Sequence, residues 1–153
     1  MELVRHRAMS FAQESTRYCN YSKDKFGNEV TFILPHWFRL IHHGLIDKDR
    51  HFDANTFYRL PTQSAEESAF FGGLLSAEAC YFILLEQGWK PQYARAVLPN
   101  ALKTEVVMTG FKSDWDHFFE LRCSEKAHPD MKKLADECRR TIEKQIKQEN
   151  NGR

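Results

Sequence analysis

Three observations predict an α+β fold for this 153-residue chain, an antiparallel sheet flanked by helices. Runs rich in β-branched and apolar residues, Val30 to Leu34 and Thr104 to Thr109, are bounded by Gly, Pro and Asn. Helix-start chemistry recurs at Ser64, Pro91, Ser113 and Pro129. The two kinds of segment alternate along the chain. The sheet is expected to form from a hairpin, Ser15 to Leu34, and the 104–109 strand.

The elements follow in order. Residues 1–7 read as the end of a helix. Glu14 to Ser22 reads as extended chain, with Tyr18 and Tyr21 near its end. Gly27-Asn28 is a turn signal before Val30 to Leu34, which Pro35 closes. Residues 36–62 are less regular and hold His36, His42, His43 and His51 among Trp37, Phe38, Phe52, Phe57 and Tyr58. No H-E-x-x-H or comparable ligand spacing is present, so these read as surface or packing histidines of an insertion, and no metal site is expected. Ser64 and Glu67 form a capping box for a helix that runs to about Gln87, with Gly72-Gly73 as its weak point. Gly88 is its stop. Pro91 opens a short helix through Arg95 to Leu98, broken by Pro99-Asn100. Gly110 ends the 104–109 strand.

Ser113 is expected to cap the next helix, with Asp114 and Asp116 in the first turn and Trp115, Phe118 and Phe119 as its buried stripe. In the last helix, opened by Pro129, residues Met131, Leu134, Ala135, Cys138, Ile142 and Ile146 recur at helical spacing and read as core. Residues 1–149 read as one domain and 150–153 as a frayed tail.

Composition narrows the function classes. Hydrophobic content is 42% and charged content 28%, ordinary for a globular domain. A formal net charge of +1 argues against a nucleic-acid partner, because such binders carry a basic excess. The cysteines Cys19, Cys80, Cys123 and Cys138 contain no C-x-x-C pair, which fits small core residues in a reducing, cytoplasmic setting. The longest apolar run, Ala77 to Leu85, is interrupted by Glu78 and too short to span a bilayer, so no membrane association is expected.

The most distinctive segment is Arg5 to Tyr18. It holds Arg5, His6, Arg7, Ser10, Ser15, Arg17 and Tyr18 among apolar residues. Arginine's planar fork suits phosphate and carboxylate, and three this close repel one another unless an anion or acidic neighbours sit among them. A charge run is usually a solvated basic surface segment, but the recurrence of Ser10, Ser15 and Arg17 among apolar residues suits a partly buried anion site better than a flexible tail. The pattern R-H-R-x-x-S-x-x-x-x-S-x-R-Y resembles the signature of the flavin-dependent thymidylate synthases. Ala12 stands where that family often has asparagine, Gln13 where it often has glutamate. Two later blocks, Ala94-Arg95-Ala96-Val97-Leu98-Pro99 and the run from Met108 through Trp115, Phe118, Leu121 and Arg122, resemble the same family in the same order. Lys126 stands where histidine is common. In the family the signature follows a helix and strands with further flavin contacts. This chain opens on the signature, so it is expected to be the C-terminal portion of such an enzyme.

The resemblance implies a thymidylate synthase-complementing-protein-like fold and a set of roles. Gln13, Ser15, Thr16, Arg17, Arg95 and Arg122 would bind dUMP, with Ser15, Thr16 and Arg17 at the phosphate and Arg95 reaching it from another subunit or segment. Arg122 would be the catalytic cation against the uracil. Arg5, His6, Arg7, Gln13 and His117 would contact FAD. The implied reaction is reductive methylation of dUMP to dTMP, with methylenetetrahydrofolate as carbon donor and NADPH as reductant, in a homotetramer with interfacial sites. Two readings compete with it. One is a non-catalytic remnant that binds nucleotide weakly or only oligomerises. The other is an RNA-binding module, which near-neutral charge disfavours.

Overall fold

The computed structural model describes residues 2–23, 26–35, 51–52 and 64–151. In chain order its elements are β1 (Ser10–Gln13), β2 (Phe32–Ile33), β3 (His51–Phe52), α1 (Ala65–Glu86), α2 (Pro91–Ala94), β4 (Val106–Thr109), α3 (Lys112–Arg122) and α4 (Pro129–Asn151). Single 3-10 turns lie at Leu3–Arg5 and Arg95–Val97. The fold is α+β, as the alternation of signals predicts. The sheet is built differently. There are two two-stranded pairings, β1 with β4 and β2 with β3, among the described residues. Contacts divide the chain into two compact units, Met1–Ala12 with Val106–Arg153, and Gln13–Glu105.

In the first unit, the opening residues form the 3-10 turn, with His6 N–H donating to the Leu3 carbonyl at 3.0 Å. β4 gives way to α3 through Gly110. A Cβ there would lie 3.1 Å from Met9 Cε and 3.3 Å from Asp114 Cβ, closer than side-chain contacts ordinarily come. The expected cap of α3 moves. The helix begins at Lys112 with Phe111 as its cap residue, which places Asp114 at the third helical position. From there Asp114 Oδ2 accepts the Phe111 N–H at 2.8 Å, so the reach-back carboxylate replaces Ser113 as the capping group. α3 and α4 bury Met9, Phe118, Phe119 and Ala135, with Trp115, Met131, Cys138 and Ile142 packed around them. Of the predicted stripe on α4, Leu134 and Ile146 stay 49% and 42% exposed. The packed set 131, 135, 138 and 142 follows a single 3.6-residue stripe that Leu134 falls beside.

In the second unit the described residues of the predicted hairpin, 15–23 and 26–34, do not pair with one another as strands. Residues 15–18 form a turn, with Tyr18 N–H bonded to the Ser15 carbonyl at 3.0 Å. Asn20 Oδ1 takes the Ser22 N–H at 3.0 Å, removing a donor that a strand ladder would need. Gly27 and Asn28 do turn, with φ of 70° and 58°. Phe32 pairs instead with Phe52 and bridges to Leu102. The insertion supplies the strand partner that sequence reading sought at 15–22. Apart from the β3 backbone, residues 36–62 with His36, His42 and His43 lie outside the described residues.

α1 carries the capping box as expected: Ser64 Oγ accepts the Glu67 N–H at 3.2 Å and Glu67 Oε2 the Ser64 N–H at 3.0 Å. Gly72-Gly73 does not break it. At the far end Gly88 takes φ 84°, and Gly88 and Trp89 N–H groups bond the Leu85 and Leu84 carbonyls, both at 2.9 Å, a Schellman stop that needs the left-handed residue. Read as one helix, α1 is long and apolar enough to cross a membrane by length and composition. This corrects the estimate from Ala77 to Leu85 alone. One face is nonetheless a core face: Phe71, Leu74, Glu78 and Tyr81 are buried at three- and four-residue spacing. Phe71, Leu74 and Tyr81 pack with Cys19, Tyr21, Val30, Phe32, Leu34 and Ala94. The Glu78 carboxylate accepts the buried Val30 N–H at 2.8 Å.

Candidate functional site

The signature residues fall into two groups, one in each unit. In the first, exposure alternates around His6. Arg5 and Arg7 are exposed, while His6 is 5% exposed. Its ring meets Phe118 edge-on at 4.9 Å between centroids and lies 6.1 Å from His117. Arg122 closes α3 and is 7% exposed. Its Nε donates to His6 Nε2 at 2.9 Å. Its Nη1 donates to Glu2 Oε2 at 2.5 Å and its Nη2 to the Glu2 carbonyl at 2.9 Å. A guanidinium is always protonated and only donates. His6 Nε2 must therefore present a lone pair, which makes His6 a neutral Nδ1–H imidazole. Electrostatics agree: burial first, then the Arg122 charge and His117, hold the His6 pKa below its usual value, with Glu2 opposing. His117 stands on an exposed part of α3, 3.8 Å from Glu120. Lys126 is exposed in the turn after α3.

In the second unit, Arg95 opens the 3-10 turn after α2, anchored by the fully buried Ala94. Its Nη1 donates to Thr16 Oγ1 at 2.7 Å, joining positions 79 residues apart. This reach comes from within the same unit of the same chain. Ser15 and Arg17 flank Thr16 on the exposed side of the turn, with the Arg17 guanidinium 5.5 Å from the Tyr18 ring centroid. Gln13 ends β1, exposed, its Nε2 3.4 Å from Thr104 Oγ1. Accepting from Arg95 leaves the Thr16 hydroxyl proton available to a ligand. The Arg95 guanidinium on the Thr16 hydroxyl, with exposed Ser15 and Arg17 on the same turn as Thr16, makes a donor-rich corner suited to an oxyanion such as phosphate.

Glu2 and the Thr16–Arg95 contact escaped sequence reading. Nothing in the local pattern ties Glu2 to a residue 120 positions away. Among the described residues, no group of three or more His, Cys, Asp or Glu could hold a metal.

These motifs have relatives. The sequence matches the thymidylate synthase complementing protein family over residues 1–146. It is 33% identical over 150 residues to the flavin-dependent thymidylate synthase of Corynebacterium aurimucosum, covering 94% of this chain and 53% of that protein. It is 32% identical over 146 residues to that of Mycobacterium tuberculosis, covering 92% and 51%. The chain thus spans about half the length of the curated relatives it matches. In fold it resembles thymidylate synthase X of Helicobacter pylori, solved with FAD and dUMP, at a TM-score of 0.56 and 21% identity, over 88% of this chain and 57% of that one. With a family match across nearly its whole length, the chain belongs to the thymidylate synthase complementing protein family.

Proposed function

We propose that this chain forms the nucleotide-binding portion of an FAD-dependent thymidylate synthase that converts dUMP to dTMP, with methylenetetrahydrofolate as carbon donor and NADPH as reductant, acting as a homotetramer. The observation that carries the reading is the Arg95–Thr16 bond. Two separate signature blocks meet through it, and their chemistry is that of phosphate recognition. The relatives' name and the FAD and dUMP in the Helicobacter pylori structure support it.

Each residue has work to do. Ser15, Thr16, Arg17 and Arg95 hold the dUMP phosphate through charge-assisted bonds. Gln13, exposed at the end of β1, contacts nucleotide and flavin in this reading. Arg122 acts at the pyrimidine. Three of its five N–H donors are engaged with Glu2 and His6. The other two are left to meet negative charge developing on a pyrimidine carbonyl oxygen, where a preorganised buried cation is effective. Arg5 and Arg7, exposed cations on either side of buried His6, suit the pyrophosphate of FAD, and His117 lies on the same helix as Arg122. The flavin, when bound, supplies hydride.

The test is direct. The purified chain is scanned for bound-flavin absorbance, titrated with dUMP, and assayed for NADPH-dependent tritium release from 5-tritiated dUMP. Saturable dUMP binding with flavin-dependent release supports the reading. Nucleotide binding without flavin or release favours the non-catalytic remnant. Failure to bind either ligand overturns the reading.

A further inference from the structure

Glu2 has no role in the reading above, yet it is the carboxylate paired with a buried cation. A guanidinium that is 7% exposed has lost most of its hydration and needs a compensating charge and filled donors. Glu2 supplies both. Its side-chain oxygen takes Nη1 and its main-chain oxygen takes Nη2. That two-point grip fixes the guanidinium plane and so aims Nε at His6 Nε2. The ring can accept this bond only as the Nδ1–H tautomer. Orientation thus passes from Glu2 to Arg122 to His6.

We propose that Glu2 is a positioning residue, which sets the orientation of Arg122 and, through it, the tautomer of His6. The inference deepens the proposed function and rests on it for the use of Arg122, but the arrangement itself involves only the chain's own residues.

Opposed electrostatic effects make the proposal testable. The charged groups facing His6 are Glu2 from the N-terminal segment, and Arg122 and His117 from α3. Arg122 lowers the His6 pKa and Glu2 raises it, and the Arg122 effect is the larger. If Glu2 merely sits nearby, deleting it removes the raising charge and His6 titrates lower. If Glu2 holds Arg122 in place, deleting it frees the guanidinium, the larger lowering influence goes, and His6 titrates higher. Glu2→Gln separates charge from grip. Its amide oxygen still accepts from Nη1, so Arg122 stays and only the raising charge is lost.

The experiment is nitrogen NMR of histidine-labelled protein, using the full 153-residue chain without ligand, with the His6 resonances assigned by loss in His6→Gln. Expected results are an Nδ1–H His6 in the unaltered protein, an upward titration shift with mixed tautomers in Glu2→Ala, and a downward shift with the Nδ1–H form kept in Glu2→Gln. A downward or absent shift in Glu2→Ala overturns the proposal. Should Glu2→Ala not fold, loss of the Nδ1–H form or an unmoved titration in Glu2→Gln overturns it equally. A dUMP titration of the same proteins reads the consequence: about fivefold or more weakening in Glu2→Ala and near-normal affinity in Glu2→Gln. If the unaltered chain binds no dUMP while the NMR results hold, the function reading fails and the positioning role stands.

Discussion

Replacing Arg95 by alanine tests the phosphate corner most sharply. The guanidinium lies 2.7 Å from Thr16 Oγ1 and is part-buried, so its donors are already aimed at the turn that carries Ser15 and Arg17. A charge-assisted hydrogen bond contributes roughly 1.5–3 kcal/mol. Arg95→Ala removes one such bond to the turn and at least one to the phosphate. Because about 1.4 kcal/mol is a factor of ten, losing the bond to the phosphate alone means tenfold weaker binding or more. Calorimetry with dUMP and with deoxyuridine on matched protein separates phosphate recognition from a general loss of shape. The dUMP affinity should fall by tenfold or more, while binding of deoxyuridine should barely change. Thr16→Val should show part of the same loss, and the double variant should lose less than the sum, because the two side chains act as a pair. Equal losses for both ligands, or unchanged dUMP affinity, would refute the argument.

Two further outcomes follow from buried polar groups. Glu78→Ala strands the Val30 N–H, whose residue is fully buried, and should cost about 2–4 kcal/mol in denaturant unfolding, while Glu78→Gln, which keeps an acceptor oxygen, should cost about 1 kcal/mol; equal stability of the two variants would count against this account. His6 binds its proton less readily folded than unfolded, so unfolding takes up protons and stability rises with pH in that window. Its contribution is intact above the usual imidazole value of 6.5 and is lost as pH falls below it toward the lowered folded value; stability measured across this range should decline on acidification and flatten in His6→Gln.

Much of the helical half was legible because its signals are local. The capping box at Ser64, the glycine stop at Gly88 and the prolines at Pro91 and Pro129 each act within a turn or so of chain. The strands were legible as segments and illegible as partners. Val30 to Leu34 looks like a strand from its own composition. Its mate is chosen by long-range packing, and Asn20 and Ser22 bonding to each other withdrew the nearer candidate. The signature pointed to candidate residues in both units, but which of them touch was not in the pattern. Arg95 meets Thr16, and Arg122 meets His6 and Glu2, across 79, 116 and 120 residues. Contacts at such separation are decided by the fold as a whole.

The candidate phosphate groups sit on a turn rather than on a regular element, so something else must hold that turn still. α1 does this through its buried polar side chains. The Tyr81 hydroxyl donates to the Cys19 carbonyl at 3.3 Å and accepts the Tyr21 N–H at 3.4 Å, just past the Ser15–Tyr18 turn. Glu78, one helical turn earlier, grips Val30 at the start of the next segment. Cys19 closes the turn from the other side, its Sγ 3.3 Å from the Ser15 carbonyl. Each contact fills a main-chain donor or acceptor that irregular backbone would otherwise bury unpaired. The apolar face of α1 supplies the burial and its two polar residues supply the register. A ligand corner on loop residues can then be as well ordered as one on a helix, because the backbone beneath it is bonded at three points to the core of the same unit.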